Sequence, residues 1–145
     1  MNYRALLEDE TVLKGYCEYI DHEVIPELKM YPWSHRKSSP KDAGIYLIYK
    51  DDELVYVGET SNIYDRLTHH ENGNGSALKE KIHDYSGVEP YEYLQGCLLR
   101  TFVVKLGRLE VEKYLIDKYN PVFNNYKLRK RYRATNIWGK CNEPV

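Results

Sequence analysis

Three sets of side chains in this 145-residue sequence have the types and spacing that chemistry requires. Arg66 and His70 lie four residues apart. On a helix they leave the same face, a guanidinium fork beside a titratable ring. Such a pair is either an anion site or an ordinary surface Arg and His, depending on whether an acid and a metal join it. Glu112 has Leu109, Ile116 and Tyr119 at −3, +4 and +7, which on a helix puts a carboxylate inside an apolar stripe. A buried carboxylate without a partner is strongly disfavoured. An arginine, a backbone donor or a divalent cation is therefore expected beside Glu112, with a structural ion pair as the plain alternative. Glu110 is two positions away, points elsewhere and is the weaker candidate. Tyr46 and Tyr56 are phenols in neighbouring segments, Gly44–Lys50 and Glu53–Gly58, that are rich in β-branched and aromatic residues.

The elements that must position these groups follow from periodicity and turn chemistry. Leu13, Tyr16, Cys17 and Ile20 recur at i, i+3, i+4 and i+7 and predict a helix. Pro26 ends it or begins a short second piece. Residues 31–43, with Pro32, Ser34, Ser38, Ser39 and Pro40, read as a connecting loop. Gly44–Lys50 and Glu53–Gly58 read as strands joined at Asp51-Asp52 in a hairpin. A two-residue loop pairs Tyr46 with Val57 and sends the two tyrosines to opposite faces. A loop of three or five residues pairs Tyr46 with Tyr56 on one face, so a shared site needs that register or a bulge. Asn62 is placed to cap a helix running to about His70, with Asp65 in its first turn. Ser76 is placed to cap another, and Gly87–Pro90 is a turn. A third strand lies within Tyr91–Lys105, most clearly Cys97–Lys105, and Leu106–Tyr119 is a helix stopped by Asn120-Pro121. The order helix, β, β, α, α, β, α, tail predicts an α+β fold with a three-stranded sheet flanked by helices.

Composition excludes several classes. The longest apolar runs, such as Ile45–Tyr49, are far short of the roughly 20 residues of a membrane span. The N-terminus lacks the apolar run of a signal peptide, so the expectation is a cytoplasmic protein with no membrane partner. Cys17, Cys97 and Cys141 are odd in number and widely spaced, which suggests packing residues rather than a disulfide framework or a zinc site. The net charge of −1 would argue against nucleic acid, but it is a cancellation. Residues 1–30 are net −4 and residues 125–145 net +5. The basic tail, Tyr126-Lys127-Leu128-Arg129-Lys130-Arg131-Tyr132-Arg133, interleaves bases with aromatics, which suits phosphate contact with stacking. A merely solvated face is the alternative, and Lys79 and Lys81 are weaker candidates. Tyrosine is in excess, 15 against 2 Phe and 2 Trp, as in a chain that wants apolar rings with polar ends.

Gly44-Ile45-Tyr46, nine further residues, then Tyr56-Val57-Gly58 resembles the GIY-YIG nuclease signature, with Val for Ile in the second element. Arg66 follows eight residues after Gly58, and His70 stands where many members carry His or Tyr. The run from Glu112 to Asn120-Pro121-Val122-Phe123-Asn124 resembles the family's acidic motif, with Glu112 at the metal-binding glutamate and Asn124 at the asparagine after the proline. Glu59 departs from the pattern, since many relatives have a small or basic residue there. The resemblance covers roughly residues 43–125. The chain is therefore read in three parts, a nuclease domain over 43–125 from the resemblance and, outside it, an N-terminal helical extension and loop over 1–42 and a basic tail over 126–145.

The resemblance implies hydrolysis of DNA phosphodiesters with one Mg²⁺ or Mn²⁺ per active site. It implies that Glu112 binds the metal, that Arg66 supplies fixed positive charge to the phosphate, and that Tyr46 is the general base. Tyr56 would orient Tyr46 or the attacking water, and His70 would tune Tyr46 or relay its proton. Asn124 would fasten the end of the last helix rather than react. Gly44 and Gly58 would permit close backbone approach. Lys127, Arg129, Lys130, Arg131 and Arg133 would contact DNA. The expected protein is a compact bacterial or phage-encoded endonuclease of restriction or phage type, with DNA as its partner and a homodimer as a candidate assembly. A repair nuclease for branched or damaged DNA, or a non-catalytic DNA-binding module on the same fold, are the alternatives.

Overall fold

Residues 3–72 and 76–128 are described by the structure, a computed structural model. A short helix α1 (Tyr3–Leu6) precedes α2 (Glu10–Tyr19), whose first turn is capped by Asp9. The helix widens into a π-helical turn over Ile20–Val24 and tightens into a 3₁₀ turn over Ile25–Glu27, where Pro26 sits. The segment expected to be a loop instead holds the two-residue strand β1 (Tyr31–Pro32) and a 3₁₀ segment, Trp33–Ser38. Then come β2 (Gly44–Lys50), β3 (Glu53–Thr60), α3 (Ile63–Asn72), α4 (Ala77–Ser86), α5 (Pro90–Gln95), β4 (Leu98–Val103), α6 (Arg108–Tyr119) and α7 (Val122–Asn125).

The sheet has four strands, not three, in the order β1-β4-β2-β3 with antiparallel pairing throughout. The additional strand is β1. Two residues between prolines and serines are too short for a strand signal, and β1 exists only because β4 offers it an edge, pairing Tyr31 with Leu99 and Pro32 with Leu98. The α+β class stands.

Both faces of the sheet are covered, which is why β2 is a continuous apolar run rather than an alternating one. On one face Tyr46, Ile48 and Leu99 pack with Trp33, Ile63, Leu67, Leu78, Ile82, Leu94 and Phe123. On the other, Ile45, Leu47, Val57 and Phe102 pack with Cys17, Ile20, Ile25, Val111 and Leu115. The N-terminal segment thus closes one face together with α6. Buried Asp21 holds that contact by accepting from Tyr119 Oη at 2.6 Å and pairing with Lys118. Cys17 and Cys97 are buried, as packing residues should be; Cys141 lies outside the described residues.

Local signals place the helices around the first face. Asn62 Oδ1 accepts from Asp65 N–H at 3.0 Å at the start of α3. Ser76 caps α4, and Gly87, at φ +74°, ends it. A buried clamp holds the C-terminal end of α3. Glu71 accepts from Trp33 Nε1 at 2.6 Å and pairs with Arg36 at 3.2 Å.

The hairpin decides the site. Asp51 and Asp52 both have positive φ, the conformation of a two-residue turn that matches strand twist. Lys50 pairs with Glu53 and Tyr49 with Leu54, but the next pair is Ile48 with Tyr56. Val55 is the extra residue of a β-bulge. The bulge moves the register by one, so Tyr46 faces Gly58 across the ladder and shares a face with Tyr56. Neither simple loop register occurs, because the turn has two residues and the bulge makes the correction.

Candidate active site

Gly58 explains the position of the Tyr46 ring. A Cβ on Gly58 would lie 2.2 Å from Tyr46 Cζ and 2.4 Å from its Oη. The ring lies flat across the bare glycine backbone of the neighbouring strand, so this position takes no side chain. Tyr46 is 1% exposed. Its hydroxyl is 2.7 Å from His70 Nε2, and His70 Nδ1 is 2.9 Å from Ser76 Oγ. The rings of Tyr46, Tyr56 and His70 form a cluster with centroids 5.6 to 6.0 Å apart.

Arg66 and His70 do not share an environment, although they are one helical turn apart. Arg66 is exposed, whereas His70 is buried beneath it against the sheet. Burial, helped by the charges of Arg66, His69 and Lys79, lowers His70 to about 3, so its ring is neutral at physiological pH. Burial also raises Tyr46 well above its ordinary value, and the Arg66 guanidinium pulls it back only in part. Transfer of the Tyr46 proton to His70 is therefore uphill in the free protein. Tyr56 is raised by burial, lowered by a hydrogen bond from Tyr46 and by Arg66, and raised by Glu112. Tyr56 is thus within electrostatic reach of both the Arg66 cation and the Glu112 carboxylate.

Glu112 approaches from α6 at the outer edge of β3. Its Oε2 accepts the Glu59 N–H at 3.1 Å. Burial raises its carboxyl above the ordinary value; the N–H bond lowers it and the Glu59 charge raises it. The apolar stripe inferred around it is corrected, since Leu109 is 63% and Tyr119 45% exposed. Val111 and Leu115 carry the buried face of α6, and Glu112 sits half-buried on its flank. Glu59 is held by Arg108, one turn before Glu112, at 3.4 Å. That pairing offsets the additional negative charge beside Glu112, and sequence reasoning left both Glu59 and Arg108 without a role.

Asn124 is a fastener. Its side-chain oxygen accepts Val57 N–H and its amide donates to Val57 C=O, both at 2.8 Å. It therefore satisfies both outward backbone groups of the edge strand at Val57, and Glu112 satisfies the Glu59 N–H two residues on. Asn124→Ala should cost about 1–3 kcal/mol by leaving both Val57 groups without partners. Urea unfolding checks this; an unchanged midpoint would show that the edge needs no fastener.

The basic candidates divide. Lys127 is exposed, while Arg129, Lys130, Arg131 and Arg133 lie outside the described residues. Tyr126, expected to stack on DNA, instead donates to Asp84 at 2.8 Å and packs edge-on against Tyr85. Lys81 donates to Phe123 C=O and Lys79 to Glu71 C=O.

Two features test the fit to a divalent cation. Among the described residues no three His, Cys, Asp or Glu side chains converge as a closed metal cage. Glu112 instead presents one half-buried carboxylate whose other oxygen, Oε1, faces no donor recorded among the described residues. One carboxylate with waters filling the remaining positions suits Mg²⁺, which dehydrates reluctantly.

Residues 42–127 match the GIY-YIG catalytic domain. UvrABC system protein C of Fusobacterium nucleatum subsp. nucleatum is 28% identical over 90 residues, which cover 59% of this chain and 13% of that protein. The chain thus spans only a small part of the curated relative's length. Among solved structures, the N-terminal endonuclease domain of UvrC from Thermotoga maritima bound to magnesium is 24% identical with a TM-score of 0.49, covering 63% of this chain and 92% of that one. A tyrosine-to-phenylalanine point mutant of the same domain is 20% identical with a TM-score of 0.48, covering 63% and 91%.

Proposed function

Given that the chain belongs to the GIY-YIG catalytic-domain family, we propose that it is a DNA endonuclease that hydrolyses phosphodiesters with one divalent cation. The observation that carries this reading is the cluster at Tyr56, whose ring centroid lies 6.0 Å from those of Tyr46 and His70 and whose hydroxyl feels both the exposed Arg66 guanidinium and the half-buried Glu112 carboxylate. A non-catalytic binding module has no use for a buried phenol–imidazole pair beside an exposed arginine and a half-buried carboxylate.

In this reading Arg66 receives the phosphate and stabilises the charge that develops on it. Tyr46 is the general base and Tyr56 orients the attacking water. Asn124 and Glu112 hold β3 in place. Glu112 would hold the cation, Mg²⁺ or Mn²⁺, which when bound would polarise the phosphate and offset charge on the leaving 3′ oxygen. Because Tyr46 is mostly protonated at neutral pH, the cleavage rate should climb with pH through the neutral range, about tenfold per unit at most. Tyr46→Phe should abolish both the activity and the climb; a mutant that keeps the pH dependence would assign the base elsewhere.

The biological reading is a compact nuclease of restriction or phage type. A repair nuclease acting on branched or damaged DNA is the second reading, and the likeness to protein C of the UvrABC system favours it. No helix among the described residues is long and apolar enough to cross a membrane, and a cytoplasmic location fits a DNA substrate. A chain with one such site breaks both strands by pairing with a second copy or by sequential nicks. The test is cleavage of plasmid, linear duplex and branched DNA in Mg²⁺ and Mn²⁺ with products mapped. Nicking or linearisation is expected, and preference for branched substrates selects the repair reading. Binding without cleavage on every substrate would overturn the enzyme.

A further inference from the structure

The buried chain from Tyr46 through His70 to Ser76 has a proton count that selects one state of the histidine. Ser76 is 3% exposed and His70 1%, so their polar atoms are satisfied internally. Ser76 Oγ has two recorded neighbours, the Lys79 backbone N–H at 3.4 Å and His70 Nδ1 at 2.9 Å. A backbone N–H only donates. The hydroxyl oxygen therefore accepts there, as the cap of α4. Its single proton needs an acceptor, and among the described residues His70 Nδ1 is the partner recorded within reach. A neutral imidazole accepts at Nδ1 only when its proton is on Nε2, and Nε2 is the atom 2.7 Å from Tyr46 Oη. The opposite tautomer would aim two donors at Ser76 Oγ and leave the serine proton without an acceptor recorded among the described residues.

We infer that Ser76 is a positioning residue that fixes His70 in the Nε2–H tautomer, so that His70 donates a hydrogen bond to the Tyr46 oxygen instead of accepting the Tyr46 proton. The groups facing His70 support a neutral ring: Tyr46 and Tyr56 from the strands, Arg66 and His69 from α3, and Lys79 from α4. This arrangement has a chemical consequence. When Tyr46 loses its proton, its oxygen keeps the Nε2–H donor without any rearrangement, and the negative charge is stabilised from the start. In the opposite tautomer a Tyr46 phenolate would face the bare lone pair of Nε2. The Tyr46 proton is directed instead toward Tyr56.

The catalytic part of this inference rests on the nuclease reading, whereas the tautomer does not. Nitrogen NMR of the full chain labelled with ¹⁵N-histidine, with His70 assigned by loss of its signals in His70→Gln, reads which ring nitrogen carries the proton. Wild type and Ser76→Thr should both show Nε2–H. Ser76→Asp keeps an efficient helix cap but replaces the donor by an acceptor, and should flip His70 to Nδ1–H. Cleavage should fall about 10²-fold in Ser76→Asp and stay within about threefold of wild type in Ser76→Thr. Nδ1–H in the wild type would overturn the assignment, as would a folded Ser76→Asp that flips the ring and still cleaves at the wild-type rate. A wild type that shows Nε2–H but cuts no DNA would overturn the nuclease reading and leave the tautomer assignment standing.

Discussion

Arg66→Ala should lower DNA cleavage by about 10²- to 10³-fold, the effect of removing one preorganised donor from a developing oxyanion. Its stability should stay within about 0.5 kcal/mol of wild type, because the side chain is exposed and lies outside both cores. Glu112→Gln should lose cleavage to at least the same degree, but its stability should change in the opposite direction from that of an ordinary core mutation. Burial holds the Glu112 carboxyl above its ordinary value. Its proton is therefore bound more tightly in the folded than in the unfolded chain, and the stability this confers is present at low pH and lost as pH rises through the folded value. At neutral pH the ionised carboxylate is a net cost. Glu112→Gln should then melt at a higher temperature than wild type at pH 7, with the difference disappearing below the ordinary carboxylate range. Saturating Mg²⁺ or Mn²⁺ should raise the melting temperature of the wild type and leave Glu112→Gln unmoved, since only a folded state that binds metal gains from it. Both mutants cleaving at the wild-type rate would remove Arg66 and Glu112 from the site. A metal shift that survives in Glu112→Gln would place the cation elsewhere.

The second large effect belongs to a residue with no side chain. Gly58→Ala would drive a methyl to within 2.2 Å of the Tyr46 ring. Neither partner can yield easily. The Gly58 backbone pairs with Tyr46 on one side, while Asn124 and Glu112 bind the backbone at Val57 and Glu59 on the other. Tyr46 is buried and hydrogen-bonded to His70. Overpacking of this kind costs about 1–3 kcal/mol, and any relief moves the phenol off His70, so cleavage should fall by at least about 10²-fold. The cause is separable from general damage. In a Tyr46→Ala background the cavity can receive the new methyl, so Gly58→Ala should become neutral or stabilising there. That reversal is a coupling of at least about 1 kcal/mol in a double-mutant cycle. Additive effects in the cycle would mean that the two residues do not press on one another.

These two predictions differ in how far the sequence foretold them. Arg66 and Glu112 were singled out by type and spacing, yet the reason offered for Glu112 was only partly right. Helical periodicity put it between Leu109 and Tyr119, which turn out to face solvent; its actual partner is a backbone N–H on β3. A helical pattern shows which residues share a face and says nothing of what that face meets. Asn124 was expected to fasten the end of the last helix; its two bonds instead reach the β3 backbone at Val57, 67 residues away, and depend on how α7 docks on the sheet edge. Ser76 was visible as a cap and as nothing more, because its second role requires α3 and α4 to bring His70 against it.

By itself the sequence determined what short-range chemistry controls. The Asp51-Asp52 turn, the caps at Asn62 and Ser76, the stop at Asn120-Pro121 and the order of the motif residues all follow from backbone preferences and hydrogen bonds spanning a few residues. Tertiary structure decided what depends on contacts between distant segments. It supplied β1 by pairing it with the edge of β4. It placed a bulge at Val55, which brought Tyr46 and Tyr56 to one face; with a two-residue turn and no bulge they would lie on opposite faces. It buried His70 while leaving Arg66, one turn earlier, exposed. A one-residue shift in a ladder moves every side chain to the other face, and its outcome is settled by which face can be buried. The residues of the candidate site were therefore legible along the chain, and their meeting was decided by packing.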